Sequence, residues 1–189
     1  MGTGKVTGDR TPIRQVALLR GINVGRGARI AMADLVARTE EAGCTEVRTV
    51  LATGNVVFTD PRPADELRRV LEAAYAERFG YDAVVQVLPR DALEAAVESY
   101  PFETLEEHHD YVVFSDDDAV TARVAAAMIE ALGGAGTEAV AAGPGCVHWR
   151  VAKGATLSSA AGKLLDAREN KRHLTTRNVR TLRKVLAAG

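Results

Sequence analysis

Apolar residues recur along this chain in two rhythms, short β-like runs and longer stretches of helical period. Val16–Leu19 is a short apolar run that reads as a buried strand. A glycine-rich segment follows, and then Met32, Leu35, Val36 and Thr39 recur at helical spacing, with Gly43 placed to end the helix. Thr45–Ala52 and Asn55–Thr59 are β-rich and are broken by the turn signal Thr53-Gly54-Asn55. Behind Pro61 and Pro63, the residues Leu67, Val70, Leu71, Ala74 and Tyr75 share one helical face up to Gly80. Ala83–Leu88 reads as a further strand. The order β-α-β-β-α-β is that of a ferredoxin-like unit.

A short helix from about Arg90 to Ser99 is stopped by Pro101, and the pattern then restarts. Tyr111–Phe114 is a strand. Val120, Val124, Ala127, Met128 and Leu132 mark a helix ended by Gly133-Gly134. Thr137–Ala142 and Cys146–Ala152 flank the turn Gly143-Pro144-Gly145, and a helix lies near Ser158–Ala167. A last helix runs from about Thr176 to Ala187. The expected fold is α+β, with two ferredoxin-like units in tandem, the second lacking its last strand, and a C-terminal helix. The expected divisions are a flexible tail over 1–12, a first unit with its linking helix over 13–100, and a second unit with the C-terminal helix over 101–189. The duplication is one of architecture and not of sequence.

The chain has 189 residues, of which 47% are hydrophobic and 26% charged, which is ordinary for a globular protein able to bury a core. Its net charge of −1 conceals an uneven distribution. Residues 1–30 hold six Lys/Arg and one acid, residues 31–149 eight and 22, and residues 150–189 ten and two. Basic ends of this kind suit a phosphate, a nucleic acid or the acidic middle of the same chain. Cys44 and Cys146 stand alone without metal-ligand or disulfide spacing. No signal-like segment or membrane-length apolar run is read, so the expected location is cytoplasmic, with no membrane partner.

Topology makes the glycine segment a candidate site. In a β-α-β-β-α-β unit the turn after the first strand and the hairpin between the second and third lie at one end of the sheet. Arg20, Gly21, Asn23 and Gly25 are therefore expected to converge with Thr53, Gly54 and Asn55. Glycines admit close backbone approach, arginines supply charge, and a helix start after Ile30 adds a positive dipole end. A turn that merely needs positive φ accounts for the same glycines. At the C-terminus, Thr175 or Thr176 is expected to cap a helix, with Arg177, Arg180, Arg183 and Lys184 on its basic face. If that helix start points at the glycine loop, Thr176, Arg177 and Asn178 complete one pocket for a small anionic ligand such as a nucleotide or phosphorylated metabolite. The alternatives are nucleic-acid binding through the basic C-terminal region, which only 5% aromatic residues disfavour, and a protein-interaction module without ligand.

Other clusters read as less informative. Glu106-Glu107-His108-His109-Asp110 reads as a solvated loop and not a metal site, and Asp116-Asp117-Asp118 suits a helix start. Trp149 is expected in the core and His148 toward solvent or the ligand edge. His173 is the histidine nearest the candidate site and reads as a surface residue or a general base. Ser158 and Ser159 have no nearby histidine in sequence.

VALLRGINVG, the Met32-x-x-Leu35 helix, TGNVVF at Thr53–Phe58 and the closing TTRNVRTLRKVL resemble the bacterial family called domain of unknown function 1697, from about Gln15 to Ala187. The resemblance implies a small soluble bacterial protein with duplicated ferredoxin-like units. It marks Arg20–Gly25, Gly54-Asn55 and Thr176–Asn178 as signature positions and supplies no reaction, catalytic residue or cofactor. Two positions depart from the family pattern. Val179 stands where tryptophan is usual, which removes a stacking aromatic, and Thr53 replaces serine, which keeps the hydroxyl.

Overall fold

Every residue from Gln15 to Leu19 is buried, so the first strand is covered on both faces. That observation organises the molecule. The computed structural model describes residues 11–23, 28–132 and 137–189. Most of the expected tail, Val24–Gly27 and the Gly133-Gly134 helix end lie outside the described residues.

The elements run β1 (Ile13–Leu19), α1 (Met32–Glu41), β2 (Thr45–Val50), β3 (Asn55–Asp60), α2 (Ala64–Phe79), β4 (Val85–Pro89) and α3 (Arg90–Glu98). They continue with β5 (His108–Ser115), α4 (Asp118–Leu132), β6 (Ala139–Gly143), β7 (Cys146–Ala152), α5 (Ala160–Asp166), α6 (Arg168–Lys171), β8 (Leu174–Asn178) and α7 (Val179–Ala188). Two four-stranded antiparallel sheets result, ordered β2-β3-β1-β4 and β6-β7-β5-β8.

The alternation of side chains along each strand builds five layers. Ala17, Leu19, Val56 and Phe58 face outward onto Leu35 of α1 and Leu67, Leu71 and Tyr75 of α2. Val16, Leu18 and Val57 face inward onto Leu93 and Val97 of α3 and Val179, Leu182 and Val185 of α7. Val112, Phe114 and Cys146 of the second sheet close that central helical layer from the other side. The outer face of the second sheet, with Val113, Val147, Trp149 and Val151, packs on α4 and α5. Full burial of each such side chain is worth about 1.5–3 kcal/mol, so the α3–α7 layer cements the two sheets. Among the described residues no helix is long and apolar enough to cross a membrane.

The last strand corrects the sequence reading. The spacing predicts a helix from about Thr176 and a second unit one strand short. Leu174–Asn178 instead pairs antiparallel with β5, with Arg177 opposite Val112 and Asn178 opposite Tyr111. Helix α7 begins only at Val179, where the Asn178 Oδ1 accepts from the Arg180 N–H at 2.9 Å. The cap is therefore Asn178 and not Thr175 or Thr176. A five-residue edge strand whose buried positions are only Leu174 and Thr175 has no period to read. A second correction concerns the His108–Asp110 segment, which is the start of β5 and not a loop.

His148 is also displaced from its expected edge. It is 1% exposed, on the inward face of β7 beside Cys146. Its Nε2 lies 2.8 Å from the Ala96 carbonyl, which can only accept, so Nε2 carries the hydrogen. Nδ1 has no partner. Protonation would place an unsatisfied N–H in the core, and burial accordingly lowers the His148 pKa, against a smaller raising effect of the Ala96 bond. The unfolded chain then takes up the proton first. This contribution to stability is intact above about pH 6.5 and is lost as the pH falls below it. Between pH 7.5 and 5 the urea midpoint of the wild type should drop further than that of His148→Gln, which keeps a donor for Ala96. Equal drops would refute the assignment.

Candidate functional site

The turn after β1 and the β2–β3 hairpin meet as topology requires. The Leu19 N–H donates to the Gly54 carbonyl at 2.8 Å, and a Cβ on Gly54 would stand 2.8 Å from Leu19 Cβ and 2.9 Å from Ile22 Cδ1. Gly54 has φ +75°, a conformation that glycine adopts without strain. This glycine is required twice, by its dihedral and by its neighbours.

Asn23 closes the base of the glycine loop. At φ +53°, its Nδ2 donates to the carbonyls of Ile30 and Ala52 at 2.8 and 2.9 Å, and its Oδ1 accepts from the Ile30 N–H at 2.9 Å. Its backbone N–H donates to the Ala28 carbonyl at 2.8 Å. The side chain is thus used in holding the loop together. Gly25 and Arg26, at the loop tip, lie outside the described residues.

Arg177 ties β8 to this assembly across the two sheets. Its Nε donates to Asn55 Oδ1 at 2.9 Å, and its Nη1 donates to Thr175 Oγ1 at 3.1 Å and to the Thr176 carbonyl at 3.0 Å. Its Nη2 donates to the Leu19 carbonyl, with the Thr53 carbonyl at 3.5 Å. Asn55, with no solvent exposure, completes the network by donating to the Val50 carbonyl at 2.9 Å and to Thr53 Oγ1 at 3.1 Å. Burial, and then the neighbouring charge of Arg20, lower the Arg177 pKa to about 10. The group remains a guanidinium at neutral pH, and its hydrogen bonds are charge-assisted.

In front of this network lies a cleft of about 710 Å³. Arg20, Gly21, Thr53, Thr176, Arg177 and Asn178 line it. Asn23, Gly54 and Asn55 stand behind it, and no first-turn residue of α1 reaches it. The expected site therefore divides into a lining and a scaffold. Arg20 donates from Nη1 to the Leu174 carbonyl at 3.2 Å, and burial lowers its pKa against the raising effect of Asp166. Asp166, the lining acid, is bound by Lys171 Nζ at 2.6 Å. Three cations thus face one carboxylate, which leaves the cleft electropositive.

The opposite wall belongs to the second sheet and α5, and the sequence reading missed it. Tyr111, Trp149, Leu157, Gly162 and Leu165 contribute there. Gly162 fits because a Cβ would lie 1.9 Å from the Thr156 carbonyl oxygen. Ser159 caps α5 by accepting from the Gly162 N–H at 3.1 Å, which gives that serine a structural role. No spacing in the sequence links these residues to Arg20. The signal exists only once β8 is placed at the sheet edge.

His173 lies outside the cleft lining. Arg172 Nε donates to its Nε2 at 2.9 Å, so its Nδ1 carries the hydrogen and donates to Asp116 Oδ1 at 3.1 Å. Arg68 Nη1 stands 3.5 Å from the same carboxylate. Both ring nitrogens are engaged away from the cleft, so His173 is no base for it. Among the described residues no group of three or more His, Cys, Asp or Glu is placed to hold a metal.

The model of the family described as "Protein of unknown function (DUF1697)" matches residues 13–148. The match contains the RGINVG and TGN motifs and ends before β8. No curated protein matches. Among solved structures, the conserved bacterial protein SP0830 from Streptococcus pneumoniae is 24% identical, with a TM-score of 0.73, over 94% of this chain and 99% of that one. At that identity the likeness concerns the fold. An unknown protein from Galdieria sulphuraria is 13% identical over 89% of this chain and 98% of that one, but its TM-score of 0.28 carries no argument.

Proposed function

This chain belongs to the DUF1697 family of proteins of unknown function, and from that premise we propose that its cleft binds a small anionic ligand, a nucleotide or a phosphorylated metabolite. One observation carries the reading: among the described residues the cleft's one lining acid, Asp166, is paired with Lys171, which leaves the guanidinium groups of Arg20 and Arg177 in excess. A volume of about 710 Å³ is within the range of small-molecule sites. Arg177 is largely occupied by the scaffold, which makes Arg20 the principal anion contact.

Calorimetric titration and thermal-shift screening with nucleotides, sugar phosphates and inorganic phosphate test this. A ligand that stabilises the wild type should lose about tenfold or more in affinity on Arg20→Ala, in line with a lost charge-assisted bond. Binding should also weaken with added salt. Absence of binding by every probe, or an affinity indifferent to Arg20→Ala, would overturn the reading.

Helices cover both faces of both sheets, leaving no open sheet on which bases of a strand stack. That weighs against an RNA-recognition sheet, and the exposed Arg180, Arg183 and Lys184 of α7 offer backbone charge alone. The cleft beside the motifs weighs against a ligand-free interaction module.

The same proposal includes the architecture. The repeated strand order supports two ferredoxin-like units in tandem, over 13–100 and 101–189, the second complete with β8. Free, buried Cys44 and Cys146 agree with a cytoplasmic setting.

A further inference from the structure

We infer that the ligand is a nucleoside phosphate, whose base rests on Tyr111 and Leu157, with the buried Trp149 behind Tyr111, while its phosphate meets Arg20 and Lys171. This rests on the anionic-ligand reading above and goes further by assigning the second wall. The cleft is chemically two-sided. One side is cationic, and the other is aromatic and aliphatic, formed by Tyr111, Trp149, Leu157 and Leu165.

The aromatic wall is fixed before any ligand arrives. Trp149 donates from Nε1 to Glu138 Oε1 at 2.8 Å, which sets its ring plane. Tyr111 lies against it with ring centroids 5.3 Å apart and planes tilted by 30°. Tyr111 is opposite Asn178 in the β5–β8 register, and Arg177 is the adjacent position. Both walls bound one cleft of about 710 Å³, a volume that accommodates one nucleotide. Leu157 is 77% exposed at the edge of the cleft, where a bound ring would cover it. A sugar phosphate would satisfy the cations and leave this wall bare. A nucleoside phosphate uses both walls, and stacking tolerates any base.

The test compares the four common nucleoside 5′-monophosphates with ribose 5-phosphate and inorganic phosphate by calorimetry. At least one nucleotide should bind about tenfold or more tighter than ribose 5-phosphate, the gain expected from one stacked base. Emission of the sole tryptophan, Trp149, should change along the same binding curve. Tyr111→Leu should remove most of that preference while leaving ribose 5-phosphate binding in place. Leu157→Ser should reduce it as well, and being exposed it leaves the fold undisturbed. If ribose 5-phosphate binds as tightly as every nucleotide, the anionic-ligand reading stands and the nucleoside assignment falls. A nucleotide preference untouched by both variants overturns the assignment too. If neither nucleotides, ribose 5-phosphate nor phosphate binds, both readings fall together.

Discussion

Arg177→Met should destabilise the protein by about 3 kcal/mol, the scale for stripping a charged donor from several buried acceptors. In a chain of this length that corresponds to a fall in Tm of roughly 6–12 °C. The substitution keeps the aliphatic stem and removes the guanidinium. Asn55 Oδ1 and the carbonyls of Leu19 and Thr176 would then lose their donor. Asn55 has no solvent exposure and no room to recruit water freely. Arg177→Lys retains the charge but cannot reach acceptors on three sides, so it should recover less than half of the loss. A double-mutant cycle with Asn55→Leu should give a coupling of about 1–2 kcal/mol. Additive effects would show that the two side chains act independently. A Tm within 2 °C of wild type for Arg177→Met would refute the structural role of the network.

Gly54→Ala should cost about 3 kcal/mol through two separable causes, positive-φ strain and overpacking. At φ +75° a Cβ adds roughly 1 kcal/mol of backbone strain. It would also stand 2.8 Å from Leu19 Cβ and 2.9 Å from Ile22 Cδ1, both belonging to buried side chains with nowhere to retreat. Gly21 provides the control. Its φ is +71°, but nothing lies within 4 Å of its Cβ position. Gly21→Ala should therefore cost about 1 kcal/mol, the conformational part alone. Urea unfolding of both variants measures the difference. Equal losses would mean that the close approach of the hairpin to the β1 turn contributes nothing.

The residues of the glycine loop and the hairpin fall into two physical roles. RGINVG and TGN read in sequence as one ligand-binding constellation, because glycine and asparagine next to arginine are what an anion site uses. The same residues are what a tight tertiary joint uses. Asn23 satisfies its own loop, Asn55 is the acceptor for Arg177, and Gly54 admits Leu19 and Ile22. Arg20, Gly21 and Thr53 are left facing the cleft. Residue type cannot distinguish scaffold from lining when both need the same hydrogen-bonding groups.

The TTRN motif shows the opposite case. Thr176, Arg177 and Asn178 read in sequence as candidate site residues and do line the cleft, but their conformation is not legible there. Arg177 reads as one of several basic residues on a helix face, yet it sits on an edge strand and reaches across to the other sheet. Its distance from Leu19 along the chain leaves no local trace of the contact. His148 is similar. Strand alternation places it on one face of β7, but only the docking of α3 buries that face and lowers its pKa.

By itself the sequence determined the order and kind of nearly all the elements, the breaks between them, and the meeting of the β1 turn with the β2–β3 hairpin. Those follow from side-chain periodicity, turn residues and the handedness of crossover connections, which act locally or within one sheet. Tertiary structure alone decided that Leu174–Asn178 is a strand, that α3 and α7 form a layer shared by both sheets, and that Tyr111 and Arg20 line one cleft. The physical reason is that a short edge strand takes its conformation from the free hydrogen-bonding edge of β5, and a cleft between two sheets exists only where they dock.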